Sequence, residues 1–195
     1  MSDGDAAYPA PPLICFDAGE NARYQVRAAG VAVRPSDGAA LLHKVTGRDH
    51  YWSLPGGRSD LHEPSDVTVA RELREEIGVA ETRVERLLLV AETFFSYQGV
   101  RYHELGFYYL VSFPADPWVY DHAAPFDGTE GSLHLTYAWL RPDDPAVAPR
   151  LFPTFLPALL TDLPDAPRHL VFHERDGVPD AAPIQIGQAG KNAVF

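Results

Sequence analysis

The chain is 195 residues long, the size of one domain or one domain with tails, and 46% of it is hydrophobic, which suits a sizeable core and excludes wholesale disorder. Sixteen Lys plus Arg against 27 Asp plus Glu give a formal charge of −11, which repels phosphate backbones and anionic lipid heads and disfavours a sequence-independent nucleic-acid binder. The single cysteine, Cys15, excludes an intramolecular disulfide and a cysteine-based zinc knuckle, and with no identifiable base beside it no thiol nucleophile is expected.

Residues 1–12 (MSDGDAAYPAPP) are small, polar and proline-bearing, without the basic start and apolar run of a signal peptide. No stretch approaches the length of a bilayer span, so a cytoplasmic protein without membrane contact is the expectation. Residues 1–20 read as a flexible segment, 21–176 as one domain and 177–195 as a tail of alanine, proline and glycine. Within the domain, residues 24–33 (YQVRAAGVAV) predict a strand, the run Pro35-Ser36-Asp37-Gly38 a turn and 39–45 a partner strand. Leu54-Pro55-Gly56-Gly57 opens a loop. Ser65 offers a hydroxyl to cap a helix, Asp66 suits its first turn, and Gly78 stops it after Ile77. Residues 84–95 and 100–113 are β-branched and aromatic, and read as an antiparallel hairpin joined through Ser96-Tyr97-Gln98-Gly99. Residues 133–140 (LHLTYAWL) predict another strand, 154–163 a helix with Pro157 in its first turn, and 169–174 a last strand. This order predicts an α/β fold, an α+β sandwich in which a mixed sheet is flanked by helices.

The helix over 65–77 carries the chemistry. At 100° per residue, Glu75 lies about 60° to one side of Glu72 and Glu76 about 40° to the other, so three carboxylates share one narrow face. Val69, Leu73 and Ile77 form an apolar stripe beside it. Like charges at these spacings each cost a few tenths of a kcal/mol, roughly, which a hard divalent cation would offset. Arg71 and Arg74 are near enough in sequence to pair with the same carboxylates. A lone Glu pair is most often a solvated surface. Here, however, Gly56-Gly57 precedes the helix and permits a main-chain path that turns a carbonyl toward the acids.

Gly57, Glu63, Arg71, Glu72, Leu73, Glu75, Glu76, Gly78 and Val79 together fill every fixed place of a signature: Gly, five residues, Glu, seven residues, Arg-Glu-aliphatic-X-Glu-Glu-X-Gly-aliphatic. On these residues the chain resembles the Nudix hydrolases, and a chance match is on the order of one in ten million. Many members carry Glu-X-Gly just before the first fixed Glu, where this chain has Asp60-Leu61-His62; His62 is not read as a ligand. The resemblance implies a Nudix-type mixed sheet and hydrolysis of a pyrophosphate bond in a nucleoside diphosphate linked to another group. It further implies Mg²⁺ or Mn²⁺ held by Glu72, Glu75, Glu76 and the Gly57 carbonyl, with Glu63 supporting from behind and Arg71 orienting the acids.

The general base is open at this point. Glu75 is the candidate within the box, Glu130 the candidate in the Gly128-Thr129-Glu130-Gly131 segment, as base or as a further ligand, and Glu104 its rival on a strand. Tyr97, eighteen residues past Val79, and Trp52 are candidates for stacking a base, with Phe94, Phe95 and Tyr102 as further aromatic platforms. A small nucleotide derivative is the expected substrate. The competing reading is a non-catalytic Nudix-fold module that senses nucleotides or binds protein, although retention of every box carboxylate favours turnover; the acidic charge disfavours an RNA-processing member. His169 and His173 share a strand face, but no third zinc ligand is evident. The hairpin carrying Phe94 and Phe95 suggests a homodimer.

Overall fold

The computed structural model describes residues 11–47, 50–175, 178–179 and 184–186. The two expected tails fall largely outside them. Strand β1 (Cys15–Asp17) lies within the stretch expected to be mobile, and pairs antiparallel with the start of β2 (Ala22–Val31). There follow β3 (Ala40–Val45), β4 (Gly56–Arg58), helix α1 (Ser65–Ile77), β5 (Arg83–Tyr97), β6 (Val100–Ser112) and the short helix α2 (Trp118–Asp121). Strands β7 (Phe126–Glu130) and β8 (Leu133–Leu140), helix α3 (Leu156–Thr161) and strands β9 (Arg168–Arg175), β10 (Val178–Pro179) and β11 (Ile184–Ile186) complete the order.

Among the described residues the strands form two sheets. The larger runs β1-β2-β6-β5-β9-β10, with β4 paired to β2 and β11 to β9; the smaller is β3-β8-β7. Parallel pairs (β2 with β6, β5 with β9) stand beside antiparallel ones, so the sheet is mixed as the element order predicted. The hairpin is tighter than expected: β5 continues through Ser96 and Tyr97, leaving Gln98 and Gly99 as a two-residue turn with φ of 50° and 77°. Positive φ at both turn positions matches the right-handed twist of the flanking strands.

Successive β2 residues feed opposite faces, as a period of two requires. Ala29 and Val31 enter a core with Leu89, Ala91, Tyr108, Phe172 and the α3 residues Leu156, Leu159 and Leu160. Ala28 and Ala32 enter a second core with Val69 and Leu73 of α1, Val111, Leu135 and Tyr137. The large sheet thus has α3 on one face and α1 on the other. Val69 and Leu73 are fully buried, as their fourfold spacing predicted, whereas Ile77 is half-buried. Pro157 sits in the first turn of α3, which is shorter than expected because Leu163, preceding Pro164, is biased out of the helical region.

Helix α1 begins differently from the sequence reading. Pro64, with extended backbone, precedes it, and Ser65 is its first helical residue with no capping bond. The Ser65 hydroxyl is hydrogen-bonded instead to the Tyr109 hydroxyl on β6 (2.7 Å). Gly78 closes the helix with φ 82°, its N–H donating to the Arg74 carbonyl. Glu130 also departs from expectation: it ends strand β7, paired with Leu133 of β8, and does not lie in an open loop. The polar sequence FDGTE carries little strand preference of its own, and β8 imposes the pairing.

Candidate active site

The three carboxylates of α1 do not share one environment. Glu72 is 8% and Glu76 3% exposed, whereas the Glu75 side chain is 59% exposed at the outer rim. Arg71 organises them. Its Nε and Nη2 donate to the two oxygens of Glu63 (2.8 and 2.9 Å), and its Nη1 reaches Glu72 (2.8 Å) and Glu75 (3.2 Å). A paired guanidinium–carboxylate contact of this geometry is among the stronger charge-assisted bonds. Arg71 beside it holds the Glu63 carboxyl down at about 2, helped by the Thr68 hydroxyl and the Asp60 N–H, and Glu63 raises Arg71 in return. Both Glu63 oxygens are therefore engaged, and Glu63 serves as the anchor for Arg71. His62, where many family members carry glycine, adopts φ 70° and keeps the left-handed turn a glycine would provide.

Burial pushes the Glu72 carboxyl up despite Arg71, and pushes Glu76 up to about 8 despite a 2.6 Å hydrogen bond from the Tyr137 hydroxyl. The Glu76 Oε1 atom is buried with no partner. Strand β4 lies against these acids because Gly57 lacks a side chain: a Cβ there would stand 2.3–2.5 Å from the Glu72 carboxylate. Across the cleft, Glu130 adds to the field that raises both Glu72 and Glu76. Among the described residues no three Asp, Glu, His or Cys side chains already converge as a closed metal cage. The donors nonetheless fit a hard cation, being carboxylate oxygens with one buried and unshared, beside a main chain with room for nothing larger than glycine.

A cavity of about 330 Å³ adjoins these groups, reaching from Gly57 and Glu130 to an aromatic wall of Tyr51, Phe95, Tyr97, Tyr102 and Phe152. Phe95 and Tyr102 stack in parallel with ring centres 4.8 Å apart. Tyr97 thus lines the cavity. Trp52 does not: its ring packs against the core and carries the Lys44 ammonium 4.8 Å above it. Glu104 also lines the cavity but is 5% exposed, accepting a hydrogen bond from Gln25, and is not the solvent-facing strand residue that period-two alternation allowed. Glu130, exposed at the end of β7, is among the groups that raise both Glu72 and Glu76. His43, at the cavity edge, is driven down to about 3 by burial and stands neutral.

His169 bonds Glu92 (2.9 Å) while His173 stacks on Phe94 (4.6 Å), so the two rings do not converge on one ion. Phe94 and Phe95 are half-buried and partnered within the chain. Among the described residues no helix is long and apolar enough to cross a membrane.

Tyr137 and Gly128 are parts of the site that the sequence reading passed over. Their signal was present: Leu135 and Tyr137 alternate with polar residues on β8, and an inward tyrosine needs a partner for its hydroxyl.

Known proteins share the fold. The chain resembles a mutator MutT protein from Bacillus halodurans at 15% identity, covering 84% of this chain and 99% of that one with a TM-score of 0.54. It also resembles a MutT NUDIX hydrolase from Burkholderia pseudomallei at 29% identity, covering 62% and 85% of the two chains with a TM-score of 0.43. No curated protein matches. The NUDIX domain profile matches residues 24–159, a span that runs from β2 through α1 and both walls of the cleft to α3, and the chain belongs to the Nudix family.

Proposed function

We propose that the chain is a divalent-metal-dependent hydrolase that cleaves a pyrophosphate bond in a small nucleotide derivative, a nucleoside diphosphate linked to a second group. The observation that carries this reading is one cleft holding buried Glu72 and Glu76 against Gly57, Glu130 opposite them, and an aromatic-walled cavity alongside. Family membership and the names of similar structures, which include an ADP-ribose pyrophosphatase and a UDP-X diphosphatase, are consistent with it.

In this reading Glu72, Glu75, Glu76 and the Gly57 carbonyl hold Mg²⁺ or Mn²⁺, which when bound supplies neutralisation of the diphosphate and Lewis acidity at phosphorus. Arg71, fixed by Glu63, sets the orientation of Glu72 and Glu75. Glu130 takes the proton from the attacking water; it lines the cavity exposed and within the field of Glu72 and Glu76, which favours it over Glu104, buried and engaged by Gln25. The stacked pair Phe95 and Tyr102, with Tyr97, offers π-faces to a base. Phosphoryl transfer asks a protein chiefly for placement and charge stabilisation, and both are supplied by these groups.

The test is Mg²⁺-dependent hydrolysis across nucleoside triphosphates, nucleotide sugars, ADP-ribose and dinucleoside polyphosphates, with products identified by mass. Glu75→Gln, Glu76→Gln and Glu130→Gln should each depress turnover by orders of magnitude, and Glu104→Gln should alter KM more than kcat. Turnover within a few-fold of wild type in Glu130→Gln removes its role as base. Tight binding of one compound with no hydrolysis of any would move the reading to a nucleotide-sensing module. Sedimentation of the pure protein tests the homodimer.

A further inference from the structure

We propose that Tyr137 is a positioning residue for the metal centre: its hydroxyl fixes one oxygen of Glu76, so that the other faces the ion with no freedom to turn away. This rests on the reading of Glu76 as a metal ligand. The bond from Tyr137 Oη to Glu76 Oε2 is 2.6 Å and buried, and Glu76 Oε1 has no other partner. A carboxylate anchored by one oxygen presents the second in a set direction, which is the part that outer hydrogen-bond partners play around metal ligands.

The anchor is itself held. Tyr137 is fully buried and stacked between His43 (5.4 Å, 23°) and Phe126 (5.5 Å, 20°), and Phe126 stacks in turn on His122 (4.4 Å, 27°). Gly128, two residues beyond Phe126 on β7, lets the ring and the end of α1 close together. A Cβ there would lie 2.5 Å from Tyr137 Cε2 and 2.6 Å from the Glu76 carbonyl oxygen. Four stacked rings and one glycine thus tie the smaller sheet to the last turn of α1 at the residue whose orientation the ion requires. Nothing in the core demands a hydroxyl at this place; phenylalanine would fill the same ring volume.

The experiment is titration of the full chain with Mn²⁺, without substrate, followed by electron paramagnetic resonance. Tyr137→Phe keeps the stack and removes the bond, and should weaken Mn²⁺ binding by about 10–100-fold. In a Glu76→Gln background the same change should add less than a twofold loss, because a positioning residue acts through the group it positions. Tyr109→Phe, which removes a half-buried hydroxyl bonded to Ser65 at the other end of α1, should leave the affinity unchanged. Equal affinity of Tyr137→Phe and wild type overturns the proposal, as does an equal loss in both backgrounds or in Tyr109→Phe. If wild type itself binds no Mn²⁺, the metal reading falls, a result distinct from the others. Should Tyr137→Phe fail to fold, 3-fluorotyrosine placed at position 137 provides the readout. Its ¹⁹F resonance should move on Mg²⁺ addition with the midpoint of binding, and a stationary resonance overturns the proposal.

Discussion

Replacing Glu76 by glutamine should stabilise the metal-free protein at pH 8 while abolishing its turnover. The side chain is 3% exposed, one oxygen accepts from Tyr137 and the other has no partner, and burial raises its carboxyl from an ordinary 4.5 to about 8. Below pH 4.5 both folded and unfolded chains hold the proton, and no difference arises. As pH rises from there to about 8, the unfolded chain releases the proton while the native state retains it, so native stability falls across that window and then levels. At about 1.4 kcal/mol per pH unit the window sets a ceiling of ~5 kcal/mol. Local relaxation and water reaching the carboxylate reduce this, and ~2–4 kcal/mol is expected. Glutamine keeps the shape and an acceptor for Tyr137 but never ionises, so Glu76→Gln should lose most of the slope. The assay is urea unfolding with EDTA at half-unit steps from pH 4.5 to 8.5, run on both proteins. A flat wild-type profile, or a variant no more stable than wild type at pH 8, refutes the reasoning. Mg²⁺ should flatten the wild-type profile by binding the native state, and should do so far less in the variant.

Four other perturbations follow from the same geometry. Gly57→Ala places a Cβ against the Glu72 carboxylate, a side chain that can rotate away; melting should drop by only a few degrees while Mn²⁺ affinity falls at least tenfold. Gly128→Ala meets backbone as well as the Tyr137 ring, so it should cost about 1–3 kcal/mol, visible as a lower midpoint in urea, and more than Gly57→Ala does. Glu63→Gln removes a carboxyl held at about 2 by Arg71; it should cost about 1–2 kcal/mol at pH 7, and the difference from wild type should shrink as pH falls from 4.5 toward 2, since a depressed carboxyl stabilises above its unfolded value and loses that contribution in acid. His62→Gly relieves a left-handed backbone at φ 70°, and its melting temperature should rise by about 1–3 °C; a fall would show that the His62 side chain contributes more than its strain.

The helix over 65–77, the hairpin and the two long sheet strands were legible because their signals are local: fourfold apolar spacing at Val69 and Leu73, β-branched runs, Gln98-Gly99, Gly78. The box carried the family as well, since its spacing is a fixed number of residues. What sequence spacing could not carry was which carboxylate faces water. Glu72, Glu75 and Glu76 look equivalent on a helical wheel, yet β4 and Tyr137 cover two of them and leave the third at the rim, and those neighbours come from 15 or more residues away in the chain. Strand β7 was illegible for a related reason: FDGTE has no pattern of its own and becomes a strand through β8. Ser65 shows the limit of capping rules: Pro64 takes the cap position, and the Ser65 hydroxyl, one residue into the helix, bonds the half-buried Tyr109 hydroxyl on β6. Trp52 shows the limit of composition, because an aromatic beside the box can as readily pack the core as face a ligand.

Helix α1 packs against β2 and β4 of the larger sheet and against β7 of the smaller, so the cleft is walled by two separately paired ribbons. One wall is the box and its glycine loop. The other, with Glu130, Gly128 and Tyr137, belongs to residues 126–140, which no element of the box encodes. The two walls are joined at one place, where Tyr137 bonds Glu76 and Gly128 lies against the end of α1. Away from that joint the ribbon can change without touching the box, and Glu130, exposed at the end of β7, is the residue there whose replacement alters the cleft and leaves the box intact. The box thus specifies one wall of the cleft and leaves the other, and the aromatic lining beside it, to residues far away in the chain.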